Sequence, residues 1–241
     1  MSRYYYDLHI HSCLSPCAED DNTPNNVAGM AKLSGLDIVA LTDHNSVKNC
    51  PAFFEAAERY ELIPIAGMEL TTSEEIHVIC LFEMLDDALR FGEEIDRRRL
   101  PVKNRPDIFG EQLILDGEDN LIGNEENLLS VATDISVEAL PERVREYGGI
   151  CYPAHIDRDS GGIVAILGTL PDNLGFRTVE FRDAGNIKSY SERFDLSGMT
   201  TVTNSDAHFL EGIRDKEAYF DLPDGLSSPE AVRAELFKLL R

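Results

Sequence analysis

All six histidines of this 241-residue chain lie on, or just after, segments that the sequence predicts to be β-strands. Chance would scatter them over helices and loops as well. The ends of strands are where barrel-like α/β folds place their functional side chains. The six are His9, His11, His44, His77, His155 and His208. Their distribution predicts that the chain folds around one histidine-rich site at the ends of its strands.

Apolar runs of strand length alternate with segments of helical periodicity along the chain. The predicted strands are 4–11, 36–42, 62–70, 76–82, 149–155, 178–181 and 200–204. The predicted helices are 23–34, 51–60, 86–100, 136–147 and 228–240. This alternation is typical of a parallel sheet with crossover helices, and at this length the most economical closure is a TIM-like barrel or a distorted relative. We therefore expect an α/β fold with residues 1–241 in a single domain.

One segment, residues 103–133, interrupts the alternation and is strongly acidic. Two short apolar runs in it flank the sequence Asp-Gly-Glu-Asp-Asn at 116–120, which predicts a β-hairpin inserted between two units of the barrel. No Lys or Arg occurs between Arg105 and Arg143. The segment is either a solvated acidic loop, or a lid or oligomer contact, since long excursions at barrel loops often carry specificity.

The charge balance excludes some classes of partner. The chain has 44 Asp and Glu against 22 Lys and Arg, a formal net charge of -22 at pH 7. A surface of this sign repels nucleic-acid backbones and anionic lipids, so we expect no stable nucleic-acid binding and no membrane partner. A small phosphorylated substrate remains compatible, because bound divalent cations would reverse the local field.

The cellular compartment follows from targeting signals and cysteines. The sequence has no signal peptide and no apolar run of about 20 residues, the length that spans a bilayer. Its five cysteines are an odd number and are scattered, which does not indicate a disulfide framework. We therefore expect a cytoplasmic protein.

The first predicted strand contains the sequence Asp7-Leu-His-Ile-His11. Because side chains alternate along a strand, this spacing predicts that Asp7, His9 and His11 share one face, with the imidazoles about 7 Å apart. A single histidine there could be a hydrogen-bonded core residue, but two of them with an aspartate are hard to accommodate in an apolar interior. The pattern favours a site for one metal ion or two adjacent ions.

Later strands end in residues of the same kind. Candidate ligands occur at Asp43 and His44, Glu69, His77, His155, and Asp206 and His208. Asp43 and His44 are adjacent and point opposite ways on an extended chain, so one would be a ligand and the other would orient it or a water. Taken alone, Glu69 could be a surface carboxylate and His77 a core histidine.

Together the strand ends supply more ligands than a single tetrahedral zinc site uses. Several ions must share them, and mixed nitrogen and oxygen ligands suit Zn, Mn or Fe, among which the sequence does not choose. Two ions joined by a carboxylate generate a hydroxide at neutral pH and hold both the attacking and the leaving oxygen of a displacement. The hydrolysis of phosphate esters is the chemistry that this arrangement serves best.

Six motifs, taken in order, resemble those of the PHP (polymerase and histidinol phosphatase) superfamily. They are Asp7-Leu-His-Ile-His-Ser12, Leu41-Thr-Asp-His44, Gly67-Met-Glu69, His77, Pro153-Ala-His155 and Ser205-Asp-Ala-His208. The resemblance spans about residues 4–210. It implies a distorted (β/α)7 barrel, a trinuclear metal centre and phosphoesterase activity.

The resemblance also implies how the ligands divide among the ions. The first ion would be held by His9, His11, Glu69 and Asp206, the second by His77 and His155 with Glu69 as a bridge, and the third by His44 and His208. Pro16 stands where the family usually has an Asp or His that binds the third ion, so we expect two or three ions. Glu19, Asp20, Asp21 or Cys17 in the following loop could substitute.

Three residues beside the candidate ligands have predicted roles in catalysis or in supporting the metal site. Asp43 is a catalytic candidate, for orienting a ligand or taking a proton, and Asp7 is a candidate for supporting the ligands from behind. Arg158 follows His155 by three residues and would bind phosphate oxygens and stabilise the charge that grows as the P–O bond breaks. The alternative for Arg158 is a surface ion pair.

The function that these observations predict is metal-dependent hydrolysis of a small phosphomonoester, such as a nucleotide or a phosphorylated metabolite. The alternatives are a phosphodiesterase or nuclease, a metal-dependent amidohydrolase, and a non-catalytic metal-binding module. An amidohydrolase generally has a bridging Lys at a strand end in the middle of its barrel, and no Lys occupies such a position. The sequence leaves the substrate, the native metal and the oligomeric state open.

Overall fold

Ten β-strands and eight α-helices occur in a computed structural model that describes residues 1–241. The strands are β1 (Ser2–Ile10), β2 (Ile38–Leu41), β3 (Ile63–Thr71), β4 (His77–Phe82), β5 (Leu113–Leu115), β6 (Leu121–Asn124), β7 (Ile150–Pro153), β8 (Thr178–Phe181), β9 (Thr200–Thr203) and β10 (Tyr219–Leu222). The helices are α1 (Pro24–Leu33), α2 (Cys50–Arg59), α3 (Leu85–Arg98), α4 (Pro106–Phe109), α5 (Leu140–Glu146), α6 (Ile163–Leu167), α7 (Ile187–Ser191) and α8 (Pro229–Leu240). Strand β10 and the short helices α4, α6 and α7 do not correspond to predicted elements.

Six strands form one curled sheet in the order β10, β1, β2, β3, β4 and β7. Strands β1, β2 and β3 run parallel, whereas β4 is antiparallel to both β3 and β7, and β10 is antiparallel to β1. Strands β8 and β9 form a separate parallel pair. This pair is joined to the end of β1 where the His11 amide donates to the Ala207 carbonyl at 2.9 Å. The fold is therefore mixed α/β with a curled sheet.

The expected barrel of seven parallel strands differs from this sheet in two respects. First, β4 is antiparallel, because only residues 72–76 separate it from β3 and a parallel connection needs a crossover of a dozen or more residues. Second, the hydrogen-bonded sheet is open, since no strand ladder joins β7 to β8 or β9 to β1. The observed sheet is thus partly antiparallel and not closed.

Two apolar cores lie on opposite faces of the sheet. Side chains alternate along β2, so that Val39 and Leu41 pack in one core while Ile38 and Ala40 pack in the other. Helix α8 contributes Phe237 to the second core. Because both faces are packed, the sheet holds the side chains at its strand ends on a rigid support.

Helix starts follow the capping signals in the sequence. Thr23 Oγ1 accepts from the Asn26 amide at 3.2 Å at the start of α1, and Ser228 Oγ accepts from the Ala231 amide at 3.3 Å at the start of α8. A proline occupies the first helical position in both cases, where its missing amide proton costs nothing. None of the helices is both long and apolar enough to cross a membrane.

The acidic segment 103–133 contains α4 and the strands β5 and β6, which pair antiparallel with each other and with no other strand. It attaches to the loop that follows β1, where the Leu113 amide donates to the Cys13 carbonyl at 3.0 Å, and to the loop that follows β2. Asn49 Nδ2 donates to the Leu113 carbonyl at 3.0 Å, and Asn45 Nδ2 donates to the Leu129 carbonyl at 2.7 Å. The segment therefore lies against the loops next to His11 and His44.

Candidate metal centre

An irregularity in β1 decides which of its polar side chains face the site. After Asp7 the pairing with β2 shifts by one residue, because two residues of β1 lie opposite Ala40 alone. Such a β-bulge breaks the strict alternation of side chains. The Asp7 carboxylate accepts from the backbone amides of His9 at 3.2 Å and Ser205 at 3.1 Å, and lies apart from the imidazoles. The prediction that Asp7 shares a face with His9 and His11 is wrong.

Two imidazoles and two carboxylates converge beyond the bulge. The Nε2 atoms of His9 and His11 lie 3.1 Å apart. Glu69 oxygens lie 3.5 Å from His9 Nε2 and 3.4 Å from His11 Nε2, and Asp206 Oδ1 lies 3.4 Å and 3.5 Å from the same two nitrogens. All four side chains are buried. These are the four residues that the family resemblance assigns to one ion.

The electrostatics of this group fit a cation. Asp206 Oδ1 and His44 Nδ1 are buried without a hydrogen-bond partner. Burial alone would lower the pKa of His9, but the carboxylates of Glu180, Glu69 and Asp206 raise it well above its ordinary value. The group therefore stabilises positive charge at its centre, and its nitrogen and oxygen donors suit a divalent transition metal.

Two further groups of ligand atoms adjoin the first. Ligand atoms of His44, Glu69 and His77 lie within 4.8 Å of one another, as do those of His11, His44 and His208. Glu69 is shared, with one oxygen 2.8 Å from His77 Nδ1 and the other 3.0 Å from His44 Nδ1. Burial lowers the pKa of His44 to about 4 and that of His208 to about 3. Both imidazoles are therefore neutral at pH 7, as metal ligation requires.

His155 joins the same cluster through Glu69, whose Oε1 lies 2.9 Å from His155 Nε2. The His77 ring lies 5.5 Å from that of His44 and 5.4 Å from that of His155, so His77 is equally close to both. The resemblance pairs His77 with His155, whereas the group whose ligand atoms all lie within 4.8 Å of one another pairs it with His44. All eight predicted ligands are thus brought together in one connected cluster, in which Glu69 contacts five of the six imidazoles.

The contact between Glu180 and His9 is not predicted from the sequence. Glu180 is fully buried in β8 and lies 2.8 Å from His9 Nδ1. Its other contacts are with the His155 amide at 3.0 Å and with Asn204 Nδ2 at 2.6 Å. Because Glu180 accepts a hydrogen bond from the Nδ1–H group of His9, the Nε2 atom of His9 carries no proton and is free to bind a metal. The only signal in the sequence is a carboxylate within the apolar run Thr178–Phe181.

Asp43 lies behind the cluster. Its carboxylate accepts from the amide and hydroxyl of Ser12 and from the hydroxyl of Ser15, each at 2.7 Å. Ser15 Oγ in turn lies 2.9 Å from His11 Nδ1. Because Ser15 donates to Asp43, it accepts from His11 and leaves His11 Nε2 free for a metal. The geometry supports the orienting role predicted for Asp43 and not the proton-accepting one.

The loop around Pro16 supplies no further ligand atom to these groups. Glu19, Asp20 and Asp21 are exposed, and the Glu19 amide donates to the His208 carbonyl at 3.0 Å. Cys17 is also at the surface. The group of His11, His44 and His208 therefore forms without any of the substitutes that the sequence analysis considers for position 16.

A cleft of about 560 Å³ opens beside the cluster. It is lined by Arg158, Arg182, Asp206, His208 and Phe209. Arg158 forms an ion pair with Asp206 Oδ2, and Arg182 Nη1 lies 3.7 Å from the same oxygen without a hydrogen-bond partner. Arg158 thus forms an ion pair, which is the alternative considered for it, and it also borders the cleft beside the ligand cluster. Arg182 was not predicted, although it directly follows β8, as the ligands follow other strands.

Comparison with protein families assigns the chain to a known family. The model of the PHP domain matches residues 7–137, just over half of the chain. This chain is therefore a member of the PHP-domain family, as its motifs indicate. A curated relative, an uncharacterized protein from Methanocaldococcus jannaschii, is 28% identical over 100 residues, which are 38% of this chain and 58% of that protein.

Solved structures share the fold at low sequence identity. The lesion-specific endonuclease Q of Pyrococcus furiosus matches with a TM-score of 0.68 and 19% identity over 96% of this chain and 55% of its own. A complex of endonuclease Q with a 27-mer duplex bearing an abasic lesion matches with a TM-score of 0.66. A Bifidobacterium adolescentis protein, proposed to be a metal-dependent phosphoesterase, matches with a TM-score of 0.58 and 18% identity. The match covers 96% of this chain and 95% of that protein. The chain thus spans about half the length of endonuclease Q.

Proposed function

We propose that this protein is a metal-dependent phosphoesterase that hydrolyses small phosphomonoesters, such as a nucleotide or a phosphorylated metabolite. The observation that carries the proposal is the convergence of six imidazoles with Glu69 and Asp206 beside a cleft that contains Arg158 and Arg182. Membership of the PHP-domain family supports the same class of reaction. A cleft of about 560 Å³ is of the size that small ligands occupy.

The proposed cofactor is a set of two or three divalent ions of Zn, Mn or Fe. Its ligands would be His9, His11, His44, Glu69, His77, His155, Asp206 and His208. Ions bound there would supply an activated water molecule and would neutralise charge on the phosphoryl oxygens. Hydrogen bonds from the Nδ1 atoms of His9 and His11 to Glu180 and Ser15 leave both Nε2 atoms free to hold such ions.

Arg158 and Arg182 are proposed to bind the phosphate. Both guanidinium groups border the cleft, and both are about 40% exposed, so a ligand can reach them. Guanidinium groups bind phosphate oxygens in pairs and stabilise the charge that develops as the P–O bond breaks. In a chain of net charge -22 they supply the positive charge that an anionic substrate needs on approach.

Cleavage of a phosphodiester in DNA is a second candidate, favoured by the similarity of fold to endonuclease Q. The charge of -22 opposes it, because a long polyanion would also approach the acidic surface around the site. An amidohydrolase is less well supported, since the basic side chains within 4.0 Å of Glu69 and Asp206 are histidines and arginines and none is a lysine. A non-catalytic module would bind metal in the same way but would show no turnover.

We also propose that residues 1–241 act as one PHP-type domain in which 103–133 is an insertion. The insertion has its own two-stranded sheet and contacts the domain at the loops after β1 and β2. Its place next to these loops makes it a candidate for controlling access to the site.

The first experiment measures release of inorganic phosphate from nucleotides, sugar phosphates and histidinol phosphate. The protein is reconstituted with Mn, Zn or Fe, and a chelated sample serves as the control. Chelator-sensitive release from one substrate class would support the phosphomonoesterase. A DNA duplex with an abasic site is tested in parallel, and cleavage of this duplex alone would instead establish the second candidate. No turnover of either kind, with metal bound, would contradict both.

A further inference from the structure

Phe209 is a large aromatic residue at the surface of the cleft. Its side chain is 47% exposed, although aromatic rings normally bury most of their area. It directly follows His208, a member of the ligand cluster, and it borders the same cleft as Arg158 and Arg182. Single exposed apolar side chains are normal on protein surfaces, so the feature that distinguishes Phe209 is its place in the cleft beside two guanidinium groups.

The ring is supported from one side by a glycine. A Cβ atom added to Gly212 would lie 3.2 Å from Phe209 Cε2 and 3.4 Å from its Cδ2. That approach is close, so the absence of a side chain at position 212 lets one edge of the ring lie against the backbone. The short turn 210–212 therefore lies against one edge of the ring, while about half of the residue remains exposed at the cleft.

Next to the ring, the cleft offers positive charge that the protein itself does not fully use. The side chains of Arg158 and Arg182 are both about 40% exposed, so a ligand in the cleft can contact their guanidinium groups. Arg158 and Arg182 both lie near a single carboxylate, that of Asp206, so two cationic groups share one anionic partner. The cleft thus combines two partly exposed guanidinium groups, which can bind an anion, with an exposed aromatic ring.

We infer that Phe209 forms a stacking platform for the base of a nucleoside monophosphate, whose phosphate is held at Arg158, Arg182 and the ligand cluster. Aromatic side chains stack on any base because every base has a flat π-face, whereas a sugar phosphate without a base has no π-face on which the ring can stack. This inference rests on the proposed function and narrows its substrate class from phosphomonoesters in general to nucleotides.

Binding is tested by fluorescence, because the chain contains no tryptophan. The variant Phe209→Trp has a single tryptophan at the proposed platform, and Phe109→Trp is a matched control at an aromatic residue that is 43% exposed and outside the cleft. We expect adenosine 5′-monophosphate to quench the fluorescence of Phe209→Trp at concentrations where ribose 5-phosphate does not. Neither compound should quench Phe109→Trp. Equal responses to the two compounds in Phe209→Trp would overturn the inference.

Turnover gives an independent test with Phe209→Ala. We expect the ratio of kcat/KM for adenosine 5′-monophosphate to that for ribose 5-phosphate to fall about tenfold, the effect of losing one stacked base. The ratio should be retained in Phe209→Trp. An unchanged ratio in Phe209→Ala, with chelator-sensitive turnover of both substrates, would overturn the inference and leave the proposed function intact. Selective quenching without any turnover would support the platform and contradict the proposed function.

Discussion

Glu180 Oε1 lies 2.8 Å from His9 Nδ1, and both side chains are fully buried. The two residues are 171 positions apart in the chain. Their contact fixes the orientation of the imidazole and the nitrogen that carries its proton. A carboxylate in the middle of β8 thereby prepares a ligand that lies on β1.

Replacing Glu180 with Gln should weaken metal binding about 10–100-fold, the usual effect of losing such a supporting group. Glu180 faces His9, the His155 amide and Asn204 Nδ2, all of which can act as donors. A glutamine would present its own amide donors to some of them. Competition with a chromophoric chelator measures the affinity, and Glu118→Gln on the exposed hairpin turn is the control. Equal affinities in the two variants would rule out this role.

Glu69→Gln and Arg158→Ala should have different consequences. Glu69 contacts ligand atoms throughout the cluster, so its replacement should release metal and abolish turnover. Arg158 borders the cleft, so its loss should raise KM or lower kcat/KM while the metal is retained. Metal content by elemental analysis, combined with kinetics, separates the two. Activity retained in Glu69→Gln would contradict the proposal that Glu69 is a shared metal ligand.

Asn49 connects the acidic segment to the loop after β1, and Asn49→Ala should destabilise the protein. The fully buried side chain donates to Ser12 Oγ and to the Leu113 carbonyl, and accepts from the Leu115 amide, each at 3.0 Å. Its removal leaves buried polar groups unpaired, which costs about 1–3 kcal/mol. Urea denaturation measures the change. Asn173→Ala, at an exposed position, should have almost no effect.

Metal binding should raise the melting temperature. A ligand that binds only the folded state at one hundred times its Kd stabilises it by about 2.7 kcal/mol. Thermal denaturation is recorded with added Mn or Zn and with chelator. The same addition to Glu69→Gln should produce a much smaller shift, because that variant lacks the shared carboxylate. Identical shifts in both proteins would indicate binding elsewhere.

Asp7 should make the protein less stable as the pH rises. Burial raises its pKa from 3.8 to about 6. Between these values the folded protein binds more protons than the unfolded chain, so the free energy of unfolding falls as the pH increases from about 4 to 6. Asp7→Asn keeps an oxygen acceptor for the amides of His9 and Ser205 and removes this loss, which is about 3 kcal/mol for a shift of this size.

The measurement for Asp7 is urea denaturation of both proteins in chelator from pH 4 to pH 8. The stability of Asp7→Asn relative to the parent protein should increase across the interval from pH 4 to pH 6 and stay constant above about pH 7. Parallel curves over the whole range would show that Asp7 does not titrate in this interval.

Much of the site could be predicted from the sequence. Apolar runs that break into His and carboxylate residues identify the strand ends, and His44, Glu69 and Asp206 follow from this rule. The family motifs supplied the same residues in order. Even the antiparallel β4 could have been anticipated, because the five residues 72–76 are too few for a parallel crossover.

Other features depended on the three-dimensional structure. The face on which Asp7 lies is set by a bulge in β1, which a strict alternation cannot reveal. Glu180 looks like any glutamate in a short strand until its neighbours are known. Arg182 and Phe209 both line the cleft only because the end of β8 and the turn after β9 meet there.

The sequence by itself determined which residues are able to bind a metal and on which strand each one lies, because hydrophobic periodicity and strand ends are local properties. Only the tertiary structure decided which lone pairs converge and which second residue orients each imidazole. The physical reason is that these contacts join residues far apart in the chain, such as His9 and Glu180, whose separation in space is set by strand order and packing.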